Sequence, residues 1–257
     1  MMRPGARWLV LCGLVLSVLA GAAPANPAMS EAREDAAPWP TQGRIIYRIY
    51  HGDSGIQIGR ATHTWWHDDG RYWMESLVET TGLAALLKDF RYQQRSEGAV
   101  TAQGLRPERF SVDQRGKPHQ EARFDWVGAQ VRINRGDSKR QAPIVAGDQD
   151  ILSIAHQLAQ PGAPKAPVSL TVVSNKSAAV AKVRDLGDAT VRLPLGQMPT
   201  RHFAVHSDDG KVKIDIWLAA GQHWLPVRIR IENRKGEILD QQAEHLVLGE
   251  PAQGNPS

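Results

Sequence analysis

The stretch KVKIDIWL, residues 211–218, alternates charged and apolar side chains with a period of two. This period is typical of a β-strand that buries one face and exposes the other. The buried face would contain four apolar residues: Val212, Ile214, Ile216 and Leu218. Residues 225–232 (LPVRIRIE) repeat the alternation after a short turn. The two segments therefore predict antiparallel neighbours in a sheet with one wet face.

The same pattern extends outward over most of the chain. We predict further strands over residues 44–50, 56–66, 71–79, 90–97, 109–114, 121–126, 130–134, 168–173, 180–183, 189–193, 202–206 and 237–248. Turns of about two to five residues join many of them, which favours antiparallel pairing over βαβ units. About a dozen such strands curl into a barrel or a half-barrel around a helix, or pack as a sandwich.

One segment, residues 148–160 (DQDILSIAHQLAQ), has a helical period instead. Its apolar residues recur at spacings of three and four: Ile151, Ile154, Ala155 and Leu158. Asp148 is suited to cap the helix, and Asp150 suits the positive end of its dipole. We therefore predict a mainly β protein with an antiparallel, strongly curved open sheet or a flattened barrel. This one principal helix would pack near the concave side.

The ends of the chain indicate export. Residues 1–25 have two arginines, a short apolar run and A-x-A sites, as secretory signal peptides do; an uncleaved anchor is the alternative. Cleavage would remove Cys12, the only cysteine, which excludes disulfides and a cysteine nucleophile. We predict a flexible leader over residues 26–40, a single antiparallel β domain over 41–250 and a flexible tail over 251–257. The predicted location is the periplasm.

The charge pattern argues against nucleic-acid binding. Cleavage would lower the formal net charge from +4 to +2, since residues 1–25 hold two arginines and no acidic residue. The remaining charges of both signs are interspersed, whereas phosphate contacts need clustered cations. A weak peripheral contact with anionic membrane surfaces is compatible with this balance.

Five short motifs occur in a specific order: TTGLAALL at 80–87, SEG at 96–98, GLRP at 104–107, FDW at 124–126 and QDILS at 149–153. Together they resemble domain-of-unknown-function family 3108, exported proteins of proteobacteria and their relatives. The resemblance covers most of residues 43–248. It implies a periplasmic β-rich domain similar to lipoprotein-carrier half-barrels, and it supplies no catalytic residues.

The residues themselves give no catalytic or cofactor signature. There is no G-x-S-x-G elbow and no glycine-rich phosphate loop. His63 and His67 are the best metal candidates, but at i and i+4 on a strand they would lie about 13 Å apart, too far for one ion. His202 and His206 share the spacing and the objection. We therefore predict no catalytic residues, no metal and no cofactor.

The sequence does suggest an apolar ligand site. Leu83, Leu86 and Leu87 have the spacing of one helical turn between two predicted strands. We predict that they form a lid on the open end of the sheet, and that burial of the three side chains stabilises the fold by roughly 5 kcal/mol. The alternative is an exposed apolar knob that touches lipid or a partner. Trp65 and Trp73 are the tryptophans predicted to line the site, although tryptophans also simply fill cores.

These features favour a non-enzymatic periplasmic protein that binds or carries a hydrophobic or amphipathic envelope ligand, such as a lipid or a precursor. The first alternative is a structural or chaperone-like partner of an envelope assembly complex, which predicts a solidly packed inner face. The second alternative is a hydrolase or metal enzyme whose site is assembled across strands. Convergence of histidine and carboxylate groups in space would favour that enzyme.

Overall fold

The computed structural model describes residues 39–81, 90–162 and 165–249. Fifteen strands form one sheet: β1 (Gln42–His51), β2 (Gln57–His67), β3 (Arg71–Thr80), β4 (Arg91–Thr101), β5 (Gly104–Gln114), β6 (Gln120–Asp125), β7 (Gln130–Arg135), β8 (Ser138–Pro143), β9 (Gln149–Asp150), β10 (Val168–Val173), β11 (Ala178–Leu193), β12 (Gly196–Ser207), β13 (Lys213–Ala219), β14 (Leu225–Glu232) and β15 (Ile238–Leu248). Within these ranges the helices are α1 (Ile154–Gln157) and a 3-10 turn, Ala220–Gln222. The mainly β prediction is confirmed.

Two meanders make up the sheet. Strands β1 to β8 pair consecutively in one direction, and β10 to β15 pair consecutively back until β15 joins β1. All pairs are antiparallel except β9 with β10, which are parallel. Within the described residues the two edges, β8 and β9, are not paired with each other, so the sheet is open, as predicted, rather than a closed barrel.

Alternation along the strands places the core on the concave side. Trp65 is fully buried there, whereas its neighbour Trp66 is 42% exposed on the convex side. One apolar cluster surrounds Trp65 and Tyr47, and a second joins α1 to the inner face of β10 to β14. A third packs β5, β6 and β7 against Val173 of β10, so residues far apart in the strand order meet. The two ends of the sheet thus curl towards each other.

The crossover segment, residues 144–162, connects the two meanders and contains β9 and α1. The predicted helix over 148–160 is wrong in length, because α1 spans only four residues. Residues 149 and 150 pair instead with Val172 and Val173 of β10. Asp148 accepts hydrogen bonds from the amides of residues 145 and 171, so its carboxylate is used outside any helix. Ile154, Ala155 and Leu158 of the predicted apolar face are buried and Ile151 is half-buried, but residues 153, 156 and 157 are buried as well, so burial is not confined to that face.

The predicted signal peptide and leader cover residues 1–40 and the predicted tail covers residues 251–257; of these, the structure describes only Trp39 and Pro40. Those assignments therefore stay predictions, and so does the domain boundary derived from them. No helix within the described ranges combines the length and the apolar composition needed to cross a bilayer.

Candidate functional site

A pocket of about 50 Å³ opens on the concave side of the sheet. The crossover segment and strands β13 to β15 line most of it, and β2 and β4 add one residue each. Six of the lining residues are isoleucines: Ile151, Ile154, Ile214, Ile216, Ile229 and Ile231. Four carry polar side chains: His63, Gln94, His156 and Gln241. None of the thirteen described residues that line the pocket is Asp, Glu, Lys or Arg.

A histidine pair forms the most polar part of the pocket. The Nε2 atoms of His63 and His156 lie 2.8 Å apart, and the two rings stack with centroids 4.9 Å apart. Both side chains are buried. Burial lowers the pKa of His63 to about 4. Burial, with smaller contributions from His63 and His67, holds the pKa of His156 well below its usual range. Both rings are therefore neutral at pH 7, and one donates the shared hydrogen bond to the other.

Aromatic rings enclose this pair. The ring centroids of Trp65 and Trp39 lie 5.4 and 5.2 Å from that of His156, with interplanar angles of 48° and 45°. Trp39 also stacks on His67 at 4.0 Å. The indole nitrogen of Trp65 donates to the carbonyl of Pro40 at 2.8 Å, which fixes the ring against the strand. The apolar surround explains why the imidazoles stay uncharged.

A second buried network fastens the crossover segment to the sheet. Ser96 Oγ donates to Asp150 Oδ2 at 2.5 Å, and Tyr72 Oη lies 3.0 Å from the same hydroxyl. Asp150 Oδ1 accepts hydrogen bonds from the backbone N–H groups of residues 152 and 153, with N···O distances of 2.8 Å in both cases. Burial raises the pKa of Asp150 to about 6. The carboxyl group is fully buried, so this network holds the turn before α1 and offers no access to a substrate.

Two glutamines add a further attachment, this time to β5. Gln157 Oε1 accepts the amide of Leu105 at 2.6 Å, and its Nε2 donates to the carbonyl of Gln103 at 2.9 Å. Gln149 Nε2 donates to the carbonyl of Leu105 at 2.8 Å. The crossover segment is therefore held at both ends, with His156 between the two attachments and turned towards β2 and His63.

The structure does not bring the two predicted tryptophans together. Trp65 lies on the concave side, beside His156. Trp73 pairs directly with Trp66 across the β2–β3 hairpin, and it is half-buried on the convex side. Only Trp65 is near the pocket. A ligand-binding role for either residue stays a prediction.

The three leucines predicted to form a lid, Leu83, Leu86 and Leu87, lie outside the described residues. Their neighbours in the sequence are described: the amide of Thr80 donates to the carbonyl of Phe90 at 3.2 Å, at the end of the β3–β4 pair. The role of the leucines stays a prediction.

The histidine pairs considered from sequence spacing have other partners. His67 Nε2 bonds to the carbonyl of Trp39, while His63 bonds to His156. His202 and His206 donate to different oxygens of Asp215 on the convex face, at 2.9 and 3.3 Å. Among the residues that the structure describes, no three His, Cys, Asp or Glu side chains are placed to hold a metal ion.

Sequence reasoning missed the His63–His156 pair. The two residues are 93 positions apart, and one lies on a strand while the other lies on the predicted helix. No local spacing links them, since their contact depends on how the crossover segment docks. The helical period gave no signal for it: on a helix of 3.6 residues per turn, His156 lies on the side away from Ile151, Ile154 and Leu158, whereas the docked segment buries it.

Fold and site together define a class: an open, strongly curved antiparallel sheet with an uncharged pocket on its concave side. The chain belongs to the family described as "Protein of unknown function (DUF3108)", whose sequence profile matches residues 46–240. No curated protein matches the chain.

Several solved structures are similar at low identity. A predicted lipoprotein from Parabacteroides distasonis has 9% identity and a TM-score of 0.35, covering 81% of this chain and 96% of its own. A predicted exported protein with a YmcC-like fold from Bacteroides fragilis has 14% identity and a TM-score of 0.30, covering 82% and 99%. MucB in complex with MucA(peri) has 17% identity and a TM-score of 0.28, covering 88% of this chain and 56% of that one.

Proposed function

We propose that this protein is exported to the periplasm and binds an apolar or amphipathic envelope molecule, such as a lipid or a precursor, without catalysing a reaction. The observation that carries the proposal is the concave pocket, lined by isoleucines and a few uncharged polar groups. Such linings are typical of small-molecule sites, where apolar walls supply affinity and a few polar groups orient the ligand. The signal-like residues 1–25 support the location.

The pocket volume limits how a ligand is held. Sites for drug-sized ligands occupy about 300–1,000 Å³, and this pocket measures about 50 Å³. Only one end of a lipid-sized molecule fits, so the remainder lies along the concave wall. Gln94 lines the pocket, and Tyr92, two residues away on the same face of β4, is half-buried opposite Val78 of β3. These side chains continue the surface beyond the pocket.

The absence of charge near the pocket favours binding over catalysis. Hydrolysis needs a nucleophile or an activated water beside a base that substrate can reach. The described pocket residues include two neutral histidines, but no carboxylate to orient them and no serine, threonine or cysteine nucleophile, and the Asp150 network is sealed from solvent. We therefore place the function in binding.

Native mass spectrometry of protein exported and purified without detergent tests this proposal. We expect an adduct of lipid size that organic extraction removes. Ile231→Asp places a charge on the pocket wall and should abolish the adduct, and Ile231→Trp should do so by filling the space. Val180→Asp, on an exposed side chain, is the matched control and should retain it.

Two outcomes would count against the proposal. One is a folded wild-type protein that carries no adduct and takes none up from lipid vesicles. The other is an adduct that both pocket variants keep. Copurification of a stoichiometric protein partner with an adduct-free chain would support the envelope-assembly alternative instead.

A further inference from the structure

The hydrogen-bonding capacity of the histidine pair points to the chemistry of the ligand. A neutral imidazole has one donor nitrogen and one acceptor nitrogen. The 2.8 Å contact between His63 and His156 uses one donor and one acceptor, so the pair keeps one of each. The remaining nitrogen of His156, Nδ1, is buried and has no hydrogen-bond partner among the described residues. A buried polar atom of this kind costs about 1–3 kcal/mol until it is paired.

A hydroxyl group satisfies this site in either tautomer. It donates to Nδ1 when that atom carries the lone pair, and it accepts from Nδ1 when that atom carries the proton. A carboxylate only accepts, and an ammonium only donates, so each of them fits one tautomer alone.

The electrostatics of the concave side disfavour charged ligands further. The described lining residues provide no cation and no anion to pair with a charged group. The arginines of β14 lie on the convex face: Arg228 and Arg230 point outward, whereas Ile229 and Ile231 point into the concave side. Asp150 is on the concave side, but its oxygens are bonded to Ser96 and to backbone amides. Burying an unpaired charge costs far more than burying a neutral polar group.

We propose that the ligand is an uncharged amphiphile of the long-chain alcohol or monoacylglycerol class, whose hydroxyl bonds to the His63–His156 pair while its chain packs on the pocket isoleucines. This inference rests on the proposed function, because it names the class of ligand for the same pocket. Gln94 and Gln241 also line the pocket, and their side-chain amides can hold a second hydroxyl.

Binding of three probes with one chain length tests the assignment: dodecanol, dodecanoate and dodecylammonium. Tryptophan fluorescence can report binding, since Trp65 lies 5.4 Å from the His156 ring. We expect dodecanol to bind at least about tenfold more tightly than either ion near neutral pH, a difference of about 1.4 kcal/mol. Equal or tighter binding of an ion overturns the ligand class while the binding function stands. Binding of none of the probes overturns the binding function itself.

Two further measurements locate the hydroxyl. His156→Leu should weaken dodecanol binding about tenfold and remove the preference over the ions. Because this variant alters a buried contact, the nitrogen chemical shifts of wild-type histidines give an independent test. We expect dodecanol to shift the His156 resonance and to leave exposed His119, bonded to Asp113, unchanged. Saturating dodecanol that leaves His156 unshifted would overturn the assignment.

Discussion

The concave and convex faces of this sheet are built from the same strands, yet they differ in the charge and the burial of their polar groups. On the convex face, charges pair in partial contact with water, as in the two hydrogen bonds of 2.9 and 2.6 Å from Arg228 to Asp240. On the concave face, the most polar part of the pocket, the pair of His63 with His156, is buried and neutral. Period-two alternation therefore separates the charged side chains of the strands from the pocket, in agreement with the uncharged ligand that we propose.

Substitution of adjacent tryptophans should give the largest difference between the faces. Trp65→Ala empties a fully buried site and should lower the free energy of unfolding by about 3–5 kcal/mol. Trp66→Ala, on the convex side, should cost less than about 1 kcal/mol. Urea unfolding of both variants measures the difference. Equal costs would show that the two rings do not lie on opposite faces.

Gly43→Ala should produce a smaller loss by overpacking the same region. A Cβ at this position would overlap ring carbons of Trp65 and lie 3.1 Å from Leu248. We expect a loss of about 1–3 kcal/mol, the usual cost of overpacking a core. Gly221→Ala is the matched control, since a Cβ there meets no atom within 4 Å. If thermal unfolding shows the two variants to be equally stable, the close packing of Trp65 on β1 is wrong.

Acid should weaken the concave face before the convex one. The pKa of His63 is about 4 in the folded protein, against an ordinary value of 6.5. The unfolded chain therefore takes up this proton at a higher pH than the folded protein does, and the free energy of unfolding falls as the pH drops below about 6.5. The buried His156 acts in the same direction, and His67 faces it. Asp150 has the opposite effect on stability. Its pKa of about 6 in the folded protein lies above the ordinary value, so the folded protein takes up this proton before the unfolded chain does. Its contribution to the free energy of unfolding therefore rises as the pH falls from about 6 towards 4.

Removal of the opposing carboxyl group separates these effects. Asp150→Asn should lose more stability than the wild type between about pH 7 and pH 5, by an amount on the order of 1 kcal/mol. Chemical denaturation at each pH measures both slopes, and the comparison of slopes does not depend on the starting stability of the variant. A variant whose stability falls less steeply than that of the wild type would contradict the assigned directions.

The smallest effect should come from an exposed ion pair. Arg230 binds Asp53 through two contacts of 2.6 and 3.0 Å, but the Asp53 side chain is 77% exposed. Solvent and salt screen such pairs, so Arg230→Gln should change the unfolding midpoint little at physiological salt. Repeating the measurement at low ionic strength should enlarge the change. A large shift that salt does not reduce would indicate that the pair is effectively buried.

The sequence predicted the sheet well where side chains alternate, and poorly where tertiary contacts decide. Residues 168–173 were predicted as a strand and form β10 with the same bounds. The two weak strands predicted over 180–183 and 189–193 are one long strand, β11, whose register shifts beside Gly187. Strand β8 was missed, because its residues SKRQAP are almost all exposed at an edge and have no apolar period.

The site was harder to predict than the fold. Trp65 and Trp66 lie on opposite faces, as adjacent residues of a strand do. The pocket, however, depends on how the crossover segment docks, and that is set by bonds between distant residues, such as Ser96 with Asp150. The helical period misled because docking of the crossover segment buries the consecutive residues 153–158, whatever their spacing. Sequence alone therefore predicted an apolar ligand site, but it did not predict the histidine pair to which we assign the polar end of the proposed ligand.

Isoleucine methyl NMR during titration with dodecanol is the most direct test that a ligand binds on the concave face, because isoleucines occur both in the pocket and away from it. We predict contacts between the ligand chain and the methyl groups of Ile216, Ile229 and Ile231, with Ile46, on the convex side of β1, unchanged. Contacts confined to the exposed Ile56, or saturating ligand that moves no pocket methyl group, would contradict a binding site on the concave face.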